Sequence, residues 1–445
     1  MTTHNLQSIV VGSEASFGSI DSATGLPDQA TVTWAQGGPF MRAALLTQDQ
    51  PTLDFDIARD GYWRLRREPE TVINRSGVAA YGANDGEYIA RYMGEIVLES
   101  PVWSIGTGTG TITSYDGHAM SLAWLSSLNT TTPVDNQDAC AAVGTTNTFT
   151  ATDAAEWRTG DGLAWLYQGV VNYGLVTGIA GAVVTYSPSS TAAIPQTTSI
   201  RHCYTLFPDA TNGPQISVAV RMNLQGRRLV AFGCRAREIV FDFRRNGGES
   251  TGGTLWQRTT LVPAVILRDD TNAAVVNSTR PAGRACQWRQ AYHLTTASVI
   301  GSTTPASLGR SSLSLRDWSA TLSFDLAPTG GGSANILGRG NTEVADASIE
   351  LRLRSEPNGI LRDMMRLREE RLFLLGCGPA PTTSPVGLNA HGFALAVMAG
   401  NAEGSKIEND EGRQIETVVI RPGRWALDTA GGDAANSPFR ILLPY

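Results

Sequence analysis

The segment ASIELRLRSEPNGILRDMMRLREERLFLL, Ala347 to Leu375, constrains the fold more than any other. Ile349, Leu351 and Leu353 alternate with Glu350, Arg352 and Arg354, the period of a strand with one face buried. Ser355 to Gly359 then breaks the ladder, because Pro357 has no backbone donor and Asn358 and Gly359 suit turns. Beyond the break, Ile360, Leu361, Met364, Met365 and Leu367 recur at helical spacing with Arg and Glu between them. The unit is strand, turn, amphipathic helix.

An earlier stretch has the same order. Glu95 to Glu99 reads as a strand and Ser100–Pro101 as a break. A Gly/Thr loop, Gly106 to Gly110, leads to a helix carrying Leu122, Leu125 and Leu128. The flanks repeat as well. TLDFDIA (Thr52 to Ala58) precedes the first unit and ATLSFDLA (Ala320 to Ala327) the second. A hairpin-like pair of strands follows each. The pattern predicts an internal duplication with low identity between its copies.

The chain has 445 residues, 42% of them hydrophobic and 17% charged, which suits two or three folded domains rather than a disordered chain. Its 47 glycines favour short strands and turns. No apolar run approaches the roughly 20 residues of a membrane-spanning helix. The start, MTTHNLQSIVV, lacks a basic region followed by a long apolar core, so no signal peptide is expected and the chain is predicted to be cytosolic when made. The cysteines Cys140, Cys203, Cys234, Cys286 and Cys377 form no C-x-x-C and read as buried free thiols. Lys406 is the sole lysine. The net charge of −6 rests on arginine against Asp and Glu, and no basic run is present to grip nucleic acid.

Residues 1–50 read as a lead-in with one strand over Ser8 to Phe17. Residues 51–268 form a first unit, carrying a Thr/Ala/Gly-rich insert over 133–208. Within that unit residues 216–234 make a hairpin turning at Asn223 to Gly226, and Ile239, Phe241 and Phe243 line the buried face of the next strand. Residues 269–312, with a short aromatic patch at Trp288 and Tyr292, read as a linker or long loop. Residues 313–421 form the second unit, and 422–445 a C-terminal arm with a final apolar strand. The fold class is mainly β, a sandwich or barrel with a few flanking helices.

Catalytic signatures are missing. No G-x-S-x-G, H-E-x-x-H or phosphate-binding G-x-x-x-x-G-K-[ST] occurs. His4, His118, His202, His293 and His391 are scattered, without metal-ligand spacing. Asp54 and Asp56 share a strand face at i, i+2, which reads as a polar face before an acid/base couple. No enzymatic activity, cofactor or metal is expected.

Taken in order, GSEASFG (Gly12 to Gly18), GRRLVAFGCRAREIVFDFRRNGGE (Gly226 to Glu249), WSATLSFDL (Trp318 to Leu326), LGRGNTEVADASIELRLRS (Leu337 to Ser355) and KIENDEGRQIETVVIRP (Lys406 to Pro422) resemble the tail tube, or major tail, proteins of long-tailed bacteriophages. The likeness is to the larger type with two tube domains in one chain, and it covers most of residues 5–425. It implies two tandem tail-tube-like domains, assembled into rings with a central β-barrel channel that stack into a tube for DNA ejection. Three chains would then make a pseudo-sixfold ring; a hexamer of single-tube chains is the alternative. The implied partners are the chain itself, the tape measure protein, the tail terminator and the distal tail proteins, with double-stranded DNA passing without specific binding. The implied location is the virion tail, and no membrane is involved. A channel that passes DNA needs a neutral or acidic wall. Asp54, Asp56, Glu238, Asp242, Asp325, Glu350 and Glu416, on the polar faces of the predicted strands, are the candidates for that wall. Glu408, Asp410 and Glu411 lie in a hairpin loop suited to ring-to-ring contact. Two rival expectations stand beside this one: another ring-forming tail or secretion-tube component, and a β-sandwich carbohydrate-binding module or enzyme.

Overall fold

The computed structural model describes residues 8–15, 17–19, 28–34, 42–47, 65–71, 87–102, 129–131, 137–167, 170–187, 190, 192–208, 217–224, 227–245, 253–268, 287–292, 315–328, 342–357, 361–362, 365–366, 368, 370–378, 393–410, 412–423 and 437–444. Among them the chain is mainly β, and every strand pairing is antiparallel.

The first strands are β1 (Ser8–Glu14), β2 (Val32–Trp34), β3 (Arg42–Thr47), β4 (Leu65–Thr71), β5 (Glu87–Pro101) and β6 (Asn129–Thr131). The segment read as an insert holds β7 (Gln137–Val143), β8 (Thr148–Ala151), β9 (Gly162–Tyr167), β10 (Val170–Ala180), β11 (Val183–Ser187) and β12 (Ser199–Phe207). Then come β13 (Val218–Leu224), β14 (Arg227–Arg245), β15 (Gly253–Val262), β16 (Val265–Arg268) and β17 (Gln287–Tyr292). The last are β18 (Leu315–Pro328), β19 (Thr342–Ser355), β20 (Arg371–Gly378), β21 (Phe393–Asp410), β22 (Arg413–Pro422) and β23 (Phe439–Pro444).

Eight of these pair in a closed circuit, β15–β14–β18–β19–β22–β21–β20–β17 and back to β15. The closing step is a single residue pair, Thr254 with Gln287. Alternation decides what fills the circuit. Phe241, Trp318, Ala320, Leu322, Ile349, Leu351, Leu353, Val418 and Ile420 point inward and are buried. Phe393 stacks on Trp318 at 6.3 Å and tilts against Phe241 at 4.9 Å. An eight-stranded circuit has room inside for side chains and little else, and here they fill it. Each such side chain taken from water contributes about 1.5–3 kcal/mol. The predicted units 51–268 and 313–421 both contribute to this one core, through Ile96, Leu98 and Phe241 on one side and Trp318, Leu351 and Phe393 on the other.

Leu361, Arg362, Met365 and Arg366 carry helical backbone between β19 and β20, where the helical spacing placed them, and Leu361 is fully buried in the main core. The helix expected around Leu122 to Leu128 lies outside the described residues, as do Gly106 to Gly110. Two expectations need amending. Residues 287–292, inside the segment read as a linker or loop, form β17 and bridge β15 to β20. The segment 133–208, read as a Thr/Ala/Gly-rich insert, holds six strands among its described residues. Its strands close a second circuit, β7–β8–β11–β10–β9–β12 and back to β7. This small barrel has its own core of Phe149, Trp157, Leu163, Trp165, Val176, Val184, Tyr186 and Ile200.

The two barrels share sheet. β12 pairs β9 and β7 at its start and β23 and β6 at its end, and β23 pairs β21 of the large barrel. A third, smaller sheet runs β2–β1–β13–β14–β16. β14 thus serves two sheets, and the change falls at Gly233 (φ +61), where a Cβ would lie 2.7 Å from Ala264 Cβ. Glu14 secures that point. One carboxylate oxygen accepts from Gly233 N at 2.9 Å; the other accepts from Gly18 N at 2.9 Å and from the Ser217 hydroxyl. Burial pushes its carboxyl up and these donors pull it down, with the burial effect the larger.

Candidate assembly surface

The outward side of the large barrel is polar because the alternation that buries one face exposes the other. Across β14, β18, β19 and β22 the residues stand in register. Glu238 faces Ser323, and Ser323 faces Ser348. Val240 faces Thr321, which faces Glu350. Asp242 faces Ser319, then Arg352, then Val419. Asp317 faces Arg354, which faces Thr417, and Thr417 faces Lys406 of β21.

Arginines neutralise most of the acids on this face. Glu238 lies 3.6 Å from Arg258. Glu350 accepts from Arg352 at 2.8 Å and from Arg421 at 3.2 Å, and these hydrogen bonds, led by that of Arg352, hold its carboxyl below the usual range. Arg354 donates to Asp317 at 2.7 Å and to Asp410 at 3.0 Å. Arg421 also reaches Glu403 at 3.0 Å. Exposed pairs of this kind contribute roughly 0–1 kcal/mol each to stability, so their main effect is on the field of the surface.

Of the seven residues expected on a polar face, Glu238, Asp242, Asp325 and Glu350 are on this one. Asp325 is exposed, and Asp242 is half-buried. Glu416 is not: its side chain is fully buried on the inner side with Val418 and Ile420, and it accepts from Arg362 of the helical turn at 3.2 Å. Strand alternation sets Glu416 with Val418 and Ile420; its charge alone suggested the outer face, and Arg362 of the helical turn supplies the partner that lets it stay inside. Asp54 and Asp56 lie outside the described residues. Among the three hairpin acids, Glu408 is exposed and paired with Lys406 at 2.5 Å, which holds its carboxyl down. Asp410 is tied back to the barrel by Arg354, and Glu411 lies outside the described residues. The arginine partners were visible in the sequence as same-face neighbours on β19, but Arg258, Arg421 and Asp317 come from other strands and needed the register.

The sheet extends beyond the circuit at both sides. At one, β15 pairs β5, and β5 pairs β3 and β4. At the other, β21 pairs β22 through residues 400–410, while its opposite edge is paired to β20 only up to Gly400. Among the described residues, neither the free side of β3 nor that edge of β21 after Gly400 has a strand partner. The β21–β22 ribbon has most of residues 403–414 exposed, Ile407 among them. Among the described residues no group of His, Cys, Asp and Glu is arranged to hold a metal ion.

No protein-family model matches the chain, and no curated protein matches it.

Proposed function

We propose that this protein is a structural subunit of a bacteriophage tail tube, which assembles into rings that stack around a channel for DNA. The observation that carries the proposal is that, among the described residues, β3 and the later part of β21 each have an edge without a strand partner. Unpaired borders of this length are templates for another strand. Joining the β21 border of one copy to the β3 border of the next is a head-to-tail contact, and such contacts close into rings when the rotation allows.

The large barrel's own interior is packed with Trp318, Phe241 and Phe393, so the channel is bounded by the outer faces of several chains. The register-matched polar face of β14, β18, β19 and β22 suits that wall. Most of its acids sit beside arginines, which offsets the positive charge that would hold phosphate. The exposed β21–β22 ribbon, with Glu408 and Lys406, extends from the same sheet and serves contact between rings.

Negative-stain microscopy of the purified full-length chain tests the proposal. Rings or tubes with an axial hole are expected. A field of dispersed compact monomers at all concentrations overturns it.

A further inference from the structure

The small barrel buries an imidazole. On β12, Ile200 and His202 alternate inward, opposite Trp165 and Leu163 of β9, while Arg201 between them turns to the other side with Ala164. His202 is 1% exposed. Its ring stacks on that of Trp157, with centroids 3.7 Å apart and planes inclined by 21°. The Trp157 indole N–H donates to Asp138 of β7 at 2.9 Å. At the edge of the imidazole, Nε2 lies 3.9 Å from a carboxylate oxygen of Glu156, whose side chain is 20% exposed.

Glu156 and Trp157 are consecutive and belong to the segment that joins β8 to β9. That segment holds a single 3-10 turn, Ala154–Glu156, capped by Asp153, and Trp157 packs it into the barrel core edge-on to Phe149 at 5.6 Å. Two neighbouring residues of the segment thus meet one imidazole. Burial opposes charging a lone imidazole, but these neighbours offset it. Protonation turns the Glu156 contact into an ion pair and the Trp157 stack into a cation–π contact. Asp138 adds negative charge behind the indole. Beside it β7 offers Cys140, a thiol that burial pushes up and keeps neutral. β9 and β10 carry no charged residue, Arg158 after Trp157 is exposed, and Asp161 accepts from the Arg158 backbone at the end of the segment. Histidine ordinarily changes charge between about pH 5 and 8.

We infer that His202 is a pH-sensitive latch: protonated, it holds Glu156 and Trp157 and fastens the 153–161 segment against the small barrel, and neutral, it loosens that segment. Stability from the latch is present at low pH and is lost as pH rises through the imidazole range. The latch lies within one chain and operates whether or not rings close.

Hydrogen–deuterium exchange of the full-length chain tests it, read by mass spectrometry on the peptide spanning 153–160 and corrected for the intrinsic pH dependence of exchange. In that peptide the amides of Trp157 and Gly160 donate to the carbonyls of Ala154 and Val176. Protection at pH 5 should exceed protection at pH 8 by about fivefold. H202N should remove the difference. E156Q, at a partly exposed position that tolerates the change, should shrink it at least twofold. D161N should keep it, which separates the latch from the Asp161 carboxyl that burial raises to about 6. Equal protection of the wild type at both pH values overturns the inference. So does a difference that E156Q leaves unchanged, or one that D161N abolishes.

Discussion

Arg440 of β23 and Asp161, which precedes β9, attract each other across the seam between the two barrels without a hydrogen bond joining them. The Arg440 side chain is wholly buried; its Nε donates to Ser437 at 3.1 Å, and among the described residues its two terminal nitrogens have no hydrogen-bond partner. Asp161 accepts from the backbone of Arg158 at 2.7 Å. Burial raises the Asp161 carboxyl from 3.8 to about 6 and lowers the Arg440 guanidinium to about 10, and in each case the partner's charge opposes the shift.

The sign of the pH effect follows from the raised Asp161 value. The folded chain binds the Asp161 proton more tightly than the unfolded chain. This group therefore favours folding fully below about pH 3.8 and loses that contribution as pH rises through about 6. The full span is worth about 3 kcal/mol, at about 1.4 kcal/mol per unit. Urea unfolding of wild type and D161N from pH 4 to pH 8 isolates the contribution. D161N should lack it; parallel curves would contradict the assignment. R440M removes the opposing positive charge, so the wild-type step should move above pH 6.

The Glu14 clamp joins β1, the turn at Gly18, Ser217 and the switch point of β14 at Gly233. E14A leaves buried donors without an acceptor and should cost about 3–5 kcal/mol in chemical unfolding, since each orphaned donor costs roughly 1–3 kcal/mol. G233A forces a side chain into a left-handed backbone conformation and against Ala264, and should cost at least about 2 kcal/mol. A loss under about 1 kcal/mol for both variants would show that β14 turns between sheets by other means.

The paired acids on the outer face make a further prediction. E238Q/E350Q releases Arg258 and Arg352 from these partners and leaves Arg421 with Glu403 alone of its two acids. The variant should bind double-stranded DNA at low salt, with affinity falling steeply as salt rises, while wild type binds weakly. Fluorescence anisotropy with a labelled duplex measures this. Equal binding by both proteins would mean that these pairs do not set the character of the face.

Glu416 pairs with Arg362 at the covered end of the large barrel. R362M should destabilise the fold by about 1–3 kcal/mol, and R362M/E416Q should recover part of that loss. Equal stability of R362M and wild type would show that the ion pair is not what keeps Glu416 inside.

Much of the large barrel was legible because its strands alternate cleanly. Ile349, Leu351 and Leu353, and again Ile239 and Phe241, declared an inner face, and the Val218–Leu224 hairpin declared its turn. The closures were harder to read. β17 closes the large circuit through one residue pair, and its Trp288 and Tyr292 give too short a pattern to mark a strand. The small barrel depends on β12 pairing β7 and β9 together, contacts between residues far apart in sequence that local periodicity does not carry. Glu14 was quoted within GSEASFG, yet nothing local announces that its partners are Ser217 and Gly233. Glu416 was misplaced for the same reason, since Arg362 approaches it from a different element.

β21 runs without interruption from the buried core at Phe393 to the exposed ribbon at Asp410. A pull on the ribbon along its axis therefore acts on the ladders to β20, β22 and β23 in shear, loading many hydrogen bonds at once instead of unzipping them singly. Tension delivered at the ribbon reaches the barrel interior through one stiff tether, which makes this strand the mechanical spine of the subunit.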